Sequence, residues 1–166
     1  MPMNNPKKPL TASQAQNRAA ALCARCEQAP GDIREKLTKW GLNASDANHV
    51  IAQLTAQGFL DVGRFARAFV KDRFAFNGWG KIKIAYQLRQ KGIPNEVIDE
   101  AMMAIDDEAY LQRLTELLRA KWRTVMDREP RAAWAAMMRF AASRGYETAI
   151  ASDCVKTVTR LDVEDD

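Results

Sequence analysis

Three features of this 166-residue chain have residue types and spacing that could do chemistry. Cys23 and Cys26, in "LCARCEQ", are spaced like half of a zinc site or a redox pair; His49 is the single histidine; and Gly78-x-Gly80, in "NGWGKIKI", has part of the look of a phosphate-binding loop. A structural zinc needs four nitrogen, sulfur or oxygen ligands, and the chain has no second CxxC and one histidine to complete the set. Within the alanine-rich "NRAAALCARCEQ" the two thiols fall at i and i+3 of a helical pattern, where small apolar side chains belong inside. A histidine with no placed partner is not a general base, and no Ser-His-Asp set can be nominated. A phosphate loop would follow a buried strand, with more glycines or a Lys-Ser/Thr pair. What precedes Gly78 is "RFARAFVKDRFAF", a helical pattern, so the two glycines read as a helix-to-helix turn that lets the second helix start tight against the first. The residues give no catalytic set, no metal site and no cofactor loop, and the chain reads as a non-enzyme.

Charge is the feature left over. The net charge is +4, with residues 1–60 contributing +3, residues 61–93 contributing +6 and residues 94–166 contributing −5. Positive charge concentrated in the middle third suits a polyanionic or acidic partner, or else a solvated helix face. Apolar residues make up 47% and charged residues 28%, an ordinary balance for a soluble globular chain. No apolar run approaches the roughly 18 residues that span a bilayer, "MPMNNPKKPLTASQ" lacks the apolar core of a secretory signal, and the three cysteines are an odd number. Cytoplasmic location and no membrane contact are the expectation.

The elements that position this charge emerge from glycine punctuation. "IREKLTKWGL", "IAYQLRQKGI" and "MMRFAASRGY" end at Gly41-Leu42, Gly92-Ile93 and Gly145-Tyr146, offset by 51 and 53 residues. With the glycines aligned, Ile33, Ile84 and Met137 precede them by eight and Leu37, Leu88 and Ala141 by four. That is an apolar stripe at helical spacing closed by a left-handed C-cap. Beyond the glycine, Ala47, Val50, Ile51 and Leu54 match Ile98, Ala101, Met102 and Ile105, and then Ala151, Cys154, Val155 and Val158, an i, i+3, i+4, i+7 pattern that predicts a second helix. A third helical stretch precedes each pair, with Asp61 and Asp106 placed as N-caps and Pro94 and Pro130 suited to first turns. The expected architecture is all-α: three tandem three-helix units in an elongated, curved helical-repeat array. The boundaries are a loose tail at 1–10, units at 11–60, 61–105 and 106–161, and an acidic end at 162–166. The local alternation of "KIKI" falls in register with "IREK", so it is helix and not strand.

Laid out in this register, Asp61, "RFARAFVKDR" from Arg64 to Arg73, Gly78-x-Gly80, Ile84 and "LRQKGI" from Leu88 to Ile93 resemble the central signature of the RecX family, regulators of the bacterial recombinase RecA. The flanking "GDIREKLTKWGL" and "VIAQLTAQGFLD" resemble its first unit, and the third unit matches in helical pattern alone; the resemblance covers about residues 15–160. It implies a crescent of three three-helix units lying in the groove of the RecA–DNA filament, where such proteins suppress strand exchange, ATP hydrolysis and co-protease activity. The partners implied are the RecA filament and single- or double-stranded DNA, bound weakly or as part of that filament. DNA repair and recombination would be the processes regulated, by a monomer without cofactor. The rival is a helical protein that binds DNA directly, independently of RecA.

Side-chain roles follow from position. Phe65, Ala66, Phe69, Val70 and Phe76 share a helix face and are expected in the core, as are Ile84, Leu88 and Ile93, and Trp122 and Trp134 in the third unit. Gly92 is required for positive φ. Arg64 and Arg73 are either structural arginines paired with a carboxylate such as Asp61 or Asp72, or contacts to filament or DNA. Lys71, Lys81, Lys83, Arg89 and Lys91 are exposed by pattern. Lys81, Arg89 and Lys91, lacking an apolar duty, are the leading contact residues. Trp79, like Trp40, sits at a helix end, where it either caps the core or anchors an interface. The acidic "LDVEDD" is expected to limit indiscriminate DNA binding.

Overall fold

The computed structural model describes residues 8–164, with side chains through Arg160. Among them there are nine helices and no strand: α1 (Ala12–Arg25), α2 (Pro30–Lys39), α3 (Ala44–Ala56), α4 (Val62–Ala75), α5 (Lys81–Gln90), α6 (Asn95–Met102), α7 (Asp107–Val125), α8 (Pro130–Ser143) and α9 (Thr148–Glu164). The chain is an all-α helical repeat. Most of the expected 1–10 tail, and the side chains of the acidic end, lie outside the described residues. The end of that tail is tied down, because the Leu10 N–H donates to the Trp40 carbonyl at 3.0 Å.

Most of the helices start where local chemistry can satisfy their free N–H groups. Thr11 and Gln14 form a capping box on α1, Pro30 and Pro130 open α2 and α8 at the first turn, and Asn43, Asp61 and Asp106 cap α3, α4 and α7. Pro94 stands one place earlier than expected, as the N-cap of α6. Gly41, Gly92 and Gly145 have φ of 97°, 79° and 89°, the left-handed caps that the aligned stripes require.

The helices pack in threes: α1 with α2 and α3, α4 with α5 and α6, α7 with α8 and α9. Ile33, Leu37, Val50 and Leu54 are fully buried in the first core. The second core is continuous across the other six helices and holds Ile84, Leu88, Ile98, Leu114, Leu118 and Met137, all but closed to solvent. At about 1.5–3 kcal/mol for each fully buried aliphatic side chain, these stripes, and not helix propensity, hold the repeat together.

Three core expectations fail. Phe76 is 82% exposed: α4 ends at Ala75, and the third helix set packs on the other side of that end, through Phe74 against Tyr110 with ring centroids 6.0 Å apart. Trp134 lies at the edge of the Ala133/Met137 stripe and is 37% exposed, while Trp122 is partly buried against the core. Cys26 is an exposed C-cap beyond α1 and Cys23 is half-buried; Cys154 is the one thiol in the core.

Candidate functional site

The Gly78-x-Gly80 turn is a joint between helix sets. α5 has no side-chain cap, and its first N–H groups are taken up by residues far away in sequence. Gly80 N–H donates to the Arg144 carbonyl at 2.7 Å and Ile82 N–H to the Gly145 carbonyl at 3.0 Å. Between them, Lys81 N–H donates to the Tyr110 hydroxyl at 3.0 Å. The C-terminal carbonyls of α8 thus meet the N-terminal N–H groups of α5, positive dipole end against negative. The approach leaves no room: a Cβ on Gly80 would sit 2.4 Å from the Gly145 oxygen, and one on Gly145 would sit 2.2 Å from the Lys83 Cβ. Gly78 is the flexible member, at φ 65°. Its carbonyl accepts from the buried Tyr146 hydroxyl at 3.1 Å, and the Tyr110 hydroxyl donates to the Glu147 carboxylate at 3.0 Å. Gly80 is therefore needed for close backbone approach of the third unit, not for local flexibility.

The cations of the central unit separate into two groups. Lys91 closes the other joint: its Nζ lies 2.9 Å from Asp32 Oδ2, where the Lys91 carbonyl also approaches Gly31, at 3.1 Å from a Cβ built there. Arg64 pairs with Glu27 at 3.0 Å and donates to the Gly58 carbonyl at 2.7 Å, so its carboxylate partner is Glu27, not Asp61 or Asp72; Asp61 Oδ1 accepts from the Arg64 backbone N–H instead. That hydrogen bond holds the Asp61 carboxyl below its ordinary range. Lys81 lies over the Tyr110 ring, 4.8 Å from its centroid, and 3.9 Å from Asp107. Lys81 and Lys91 are therefore paired, half-buried side chains. Arg89 is exposed, with its Nε donating to Asn95 at 2.9 Å, and Lys71 is exposed on α4.

The second group gathers at the end of α4. The Arg73 guanidinium lies 4.9 Å from the Phe69 centroid and 5.4 Å from that of Trp79, and it donates to Asn77 Oδ1 at 3.2 Å. Neither Asp61 nor Asp72 pairs with it; its neighbours are aromatic. Lys83 Nζ lies 4.6 Å over the same Trp79 ring, which packs edge-on against Phe69 at 6.4 Å. Trp79 is thus half-buried, part core cap and part cation platform. Two arginines that sequence reasoning missed complete the cluster: Arg113 donates to the Ala75 carbonyl and Arg144 to the Asn77 carbonyl, both at 3.3 Å. Nothing local marks them, because they arrive from α7 and from the residue after α8.

Titratable groups follow burial. Tyr110 and Tyr146 are both pushed upward chiefly by desolvation, Tyr146 to about 12, and burial likewise raises the thiols of Cys23 and Cys154. His49 is exposed on α3. Among the described residues no helix is long and apolar enough to cross a membrane.

Comparison with known proteins bears on the fold and the family. Residues 63–102 match the family model described as RecX, second three-helix domain. A regulatory protein RecX from Mycolicibacterium vanbaalenii is 34% identical over 167 residues, covering 93% of this chain and 91% of the relative. The regulatory protein RecX of Mycolicibacterium smegmatis is 32% identical over 146 residues, covering 86% of this chain and 78% of the relative. The crystal structure of RecX from Lactobacillus salivarius superposes with a TM-score of 0.79 at 14% identity, covering 89% of this chain and 96% of that one.

Proposed function

This chain belongs to the RecX family of regulatory proteins, and from that premise we propose that it is a non-catalytic modulator of the RecA filament. In this reading it binds RecA assembled on DNA and lowers its ATPase, strand-exchange and co-protease activities, and so regulates cytoplasmic DNA repair and recombination. The observation that carries the proposal is the match to a regulatory protein RecX along 93% of the chain. The charge distribution supports it: residues 61–93, at +6, form the basic part of the molecule and suit a nucleoprotein partner. Lys71 and Arg89, exposed on α4 and α5, are the contact residues best placed for this, because Lys81 and Lys91 are engaged within the chain.

The test is RecA ATP hydrolysis on single-stranded DNA, titrated with this protein. The rate falls with added wild type, and a Lys71→Glu/Arg89→Glu variant needs roughly 10-fold more protein for the same effect, as two lost charge contacts of about 0.7 kcal/mol each would give. A rate that does not respond to the wild type contradicts the proposal.

A further inference from the structure

Phe76 is the most exposed ring in the described part of the chain, 82% open to solvent, and it stands at the centre of the cation cluster. The two carbonyls on either side of it, those of Ala75 and Asn77, each accept from an arginine, Arg113 and Arg144. Arg73, one turn back on α4, reaches forward to the Asn77 side chain. Three guanidinium groups therefore converge on residues 75–77, and among the described residues only Arg113 has a carboxylate within ion-pair distance, Glu116 at 3.9 Å. Each guanidinium carries five donors; Arg73 and Arg144 each spend one on the chain and lie over aromatic rings, Arg73 over Phe69 and Trp79 and Arg144 over Phe140. The Nε atoms of Arg73 and Arg113 are buried, so on these two only the terminal N–H groups can meet a ligand. Three clustered guanidinium groups repel one another with a single carboxylate nearby, and the solvent-open ring beside them leaves its apolar face unburied. One class of ligand relieves both: a flexible polyanion that carries flat, stackable rings.

We propose that Phe76, with Arg73, Arg113 and Arg144, is a contact for single-stranded nucleic acid, a base stacking on the phenyl ring while neighbouring phosphates meet the guanidinium groups. Duplex DNA meets only half of this site, since its bases are already stacked and its edges offer the ring no face. A protein partner with an acidic surface would satisfy the arginines and leave the ring's preference for a flat partner unexplained. The site extends the proposed filament role by giving the protein its own hold on the strand. It stands without that role, because the strand alone should bind.

The test is fluorescence anisotropy of a labelled 20-nucleotide oligo(dT), with no recombinase present, on the full chain. Phe76→Ala weakens binding roughly 10-fold, in the range of one lost base–aromatic stack, and Phe76→Trp restores it. Wild type and Phe76→Ala bind an abasic strand of equal length alike, which a merely structural role for the ring would not produce. For wild type, log affinity falls with log salt at a slope of about −2, as three neutralised single-strand phosphates require. Unchanged oligo(dT) affinity in Phe76→Ala, an equal loss on the abasic strand, or a flat salt response overturns the proposal. So does a Phe76→Ala variant that keeps its hold on oligo(dT) and loses only its effect on the filament, which would assign the ring to a protein contact.

Discussion

Gly80 and Gly92 belong to one motif and are needed for different physical reasons, which substitution to alanine separates. At Gly92, with φ 79°, an added Cβ meets nothing within 4 Å, so Gly92→Ala costs only left-handed strain, about 1 kcal/mol. At Gly80 the backbone is ordinary, with φ −80°, and the Cβ would drive into the Gly145 carbonyl. Backbone cannot swing aside as a side-chain tip can, so Gly80→Ala costs about 3 kcal/mol, the upper range for overpacking. Urea unfolding of the two variants checks this; equal costs would contradict the close-approach account. The need at Gly92 was legible in the chain, since an apolar stripe that stops one turn before a glycine predicts the left-handed cap. The need at Gly80 was not, because the oxygen that excludes a side chain belongs to Gly145, remote in sequence. Arg73 was half legible: its place on the apolar side of α4 is visible in the spacing, but its aromatic neighbours and the arrival of Arg113 and Arg144 are matters of tertiary packing.

Among the helices, the α8-to-α5 meeting is the least expected arrangement and carries a pH signature. Tyr146 anchors it through Gly78, and burial raises its phenol from 10.0 to about 12. The unfolded chain therefore gives up this proton first, near pH 10, and the folded state holds fewer advantages as pH rises from there to about 12. Stability from this group is complete below pH 10 and is lost at up to about 1.4 kcal/mol per pH unit above it. Tyr146→Phe is expected to be less stable by about 1 kcal/mol at pH 9, where it lacks the hydrogen bond to Gly78, to match the wild type near pH ~11, and to be the more stable of the two as pH approaches about 12. Denaturant midpoints of both proteins at stepped pH measure this, and a gap that stays constant would mean that Tyr146 does not titrate with the fold. Helix existence and order were readable from apolar periodicity and caps. What periodicity cannot report is where a helix end finds its last hydrogen bonds: α5, the one helix of the central trio opened by glycine, takes them from another unit. The same limit misplaced Phe76, which keeps the Phe69 face in projection and yet lies past the point where anything covers that face.

The whole molecule is two cores in a row, one under α1–α3 and one shared by α4–α9. Two joints hold the central unit: Lys91–Asp32 with Arg64–Glu27 on one side, and the Gly80–Gly145 backbone meeting on the other. Part of the basic charge that marks the middle of the sequence is used to build these joints, and Arg67, Lys71 and Arg89 are exposed. A repeat so jointed presents spaced contacts along its length and suits a periodic partner better than a single small ligand. Binding to single-stranded DNA coated with RecA, compared with the same strand bare, tests the proposed filament role most directly. Contacts to two kinds of partner at once should tighten binding to the coated strand by at least roughly 10-fold, and equal or weaker binding to the coated strand would contradict it.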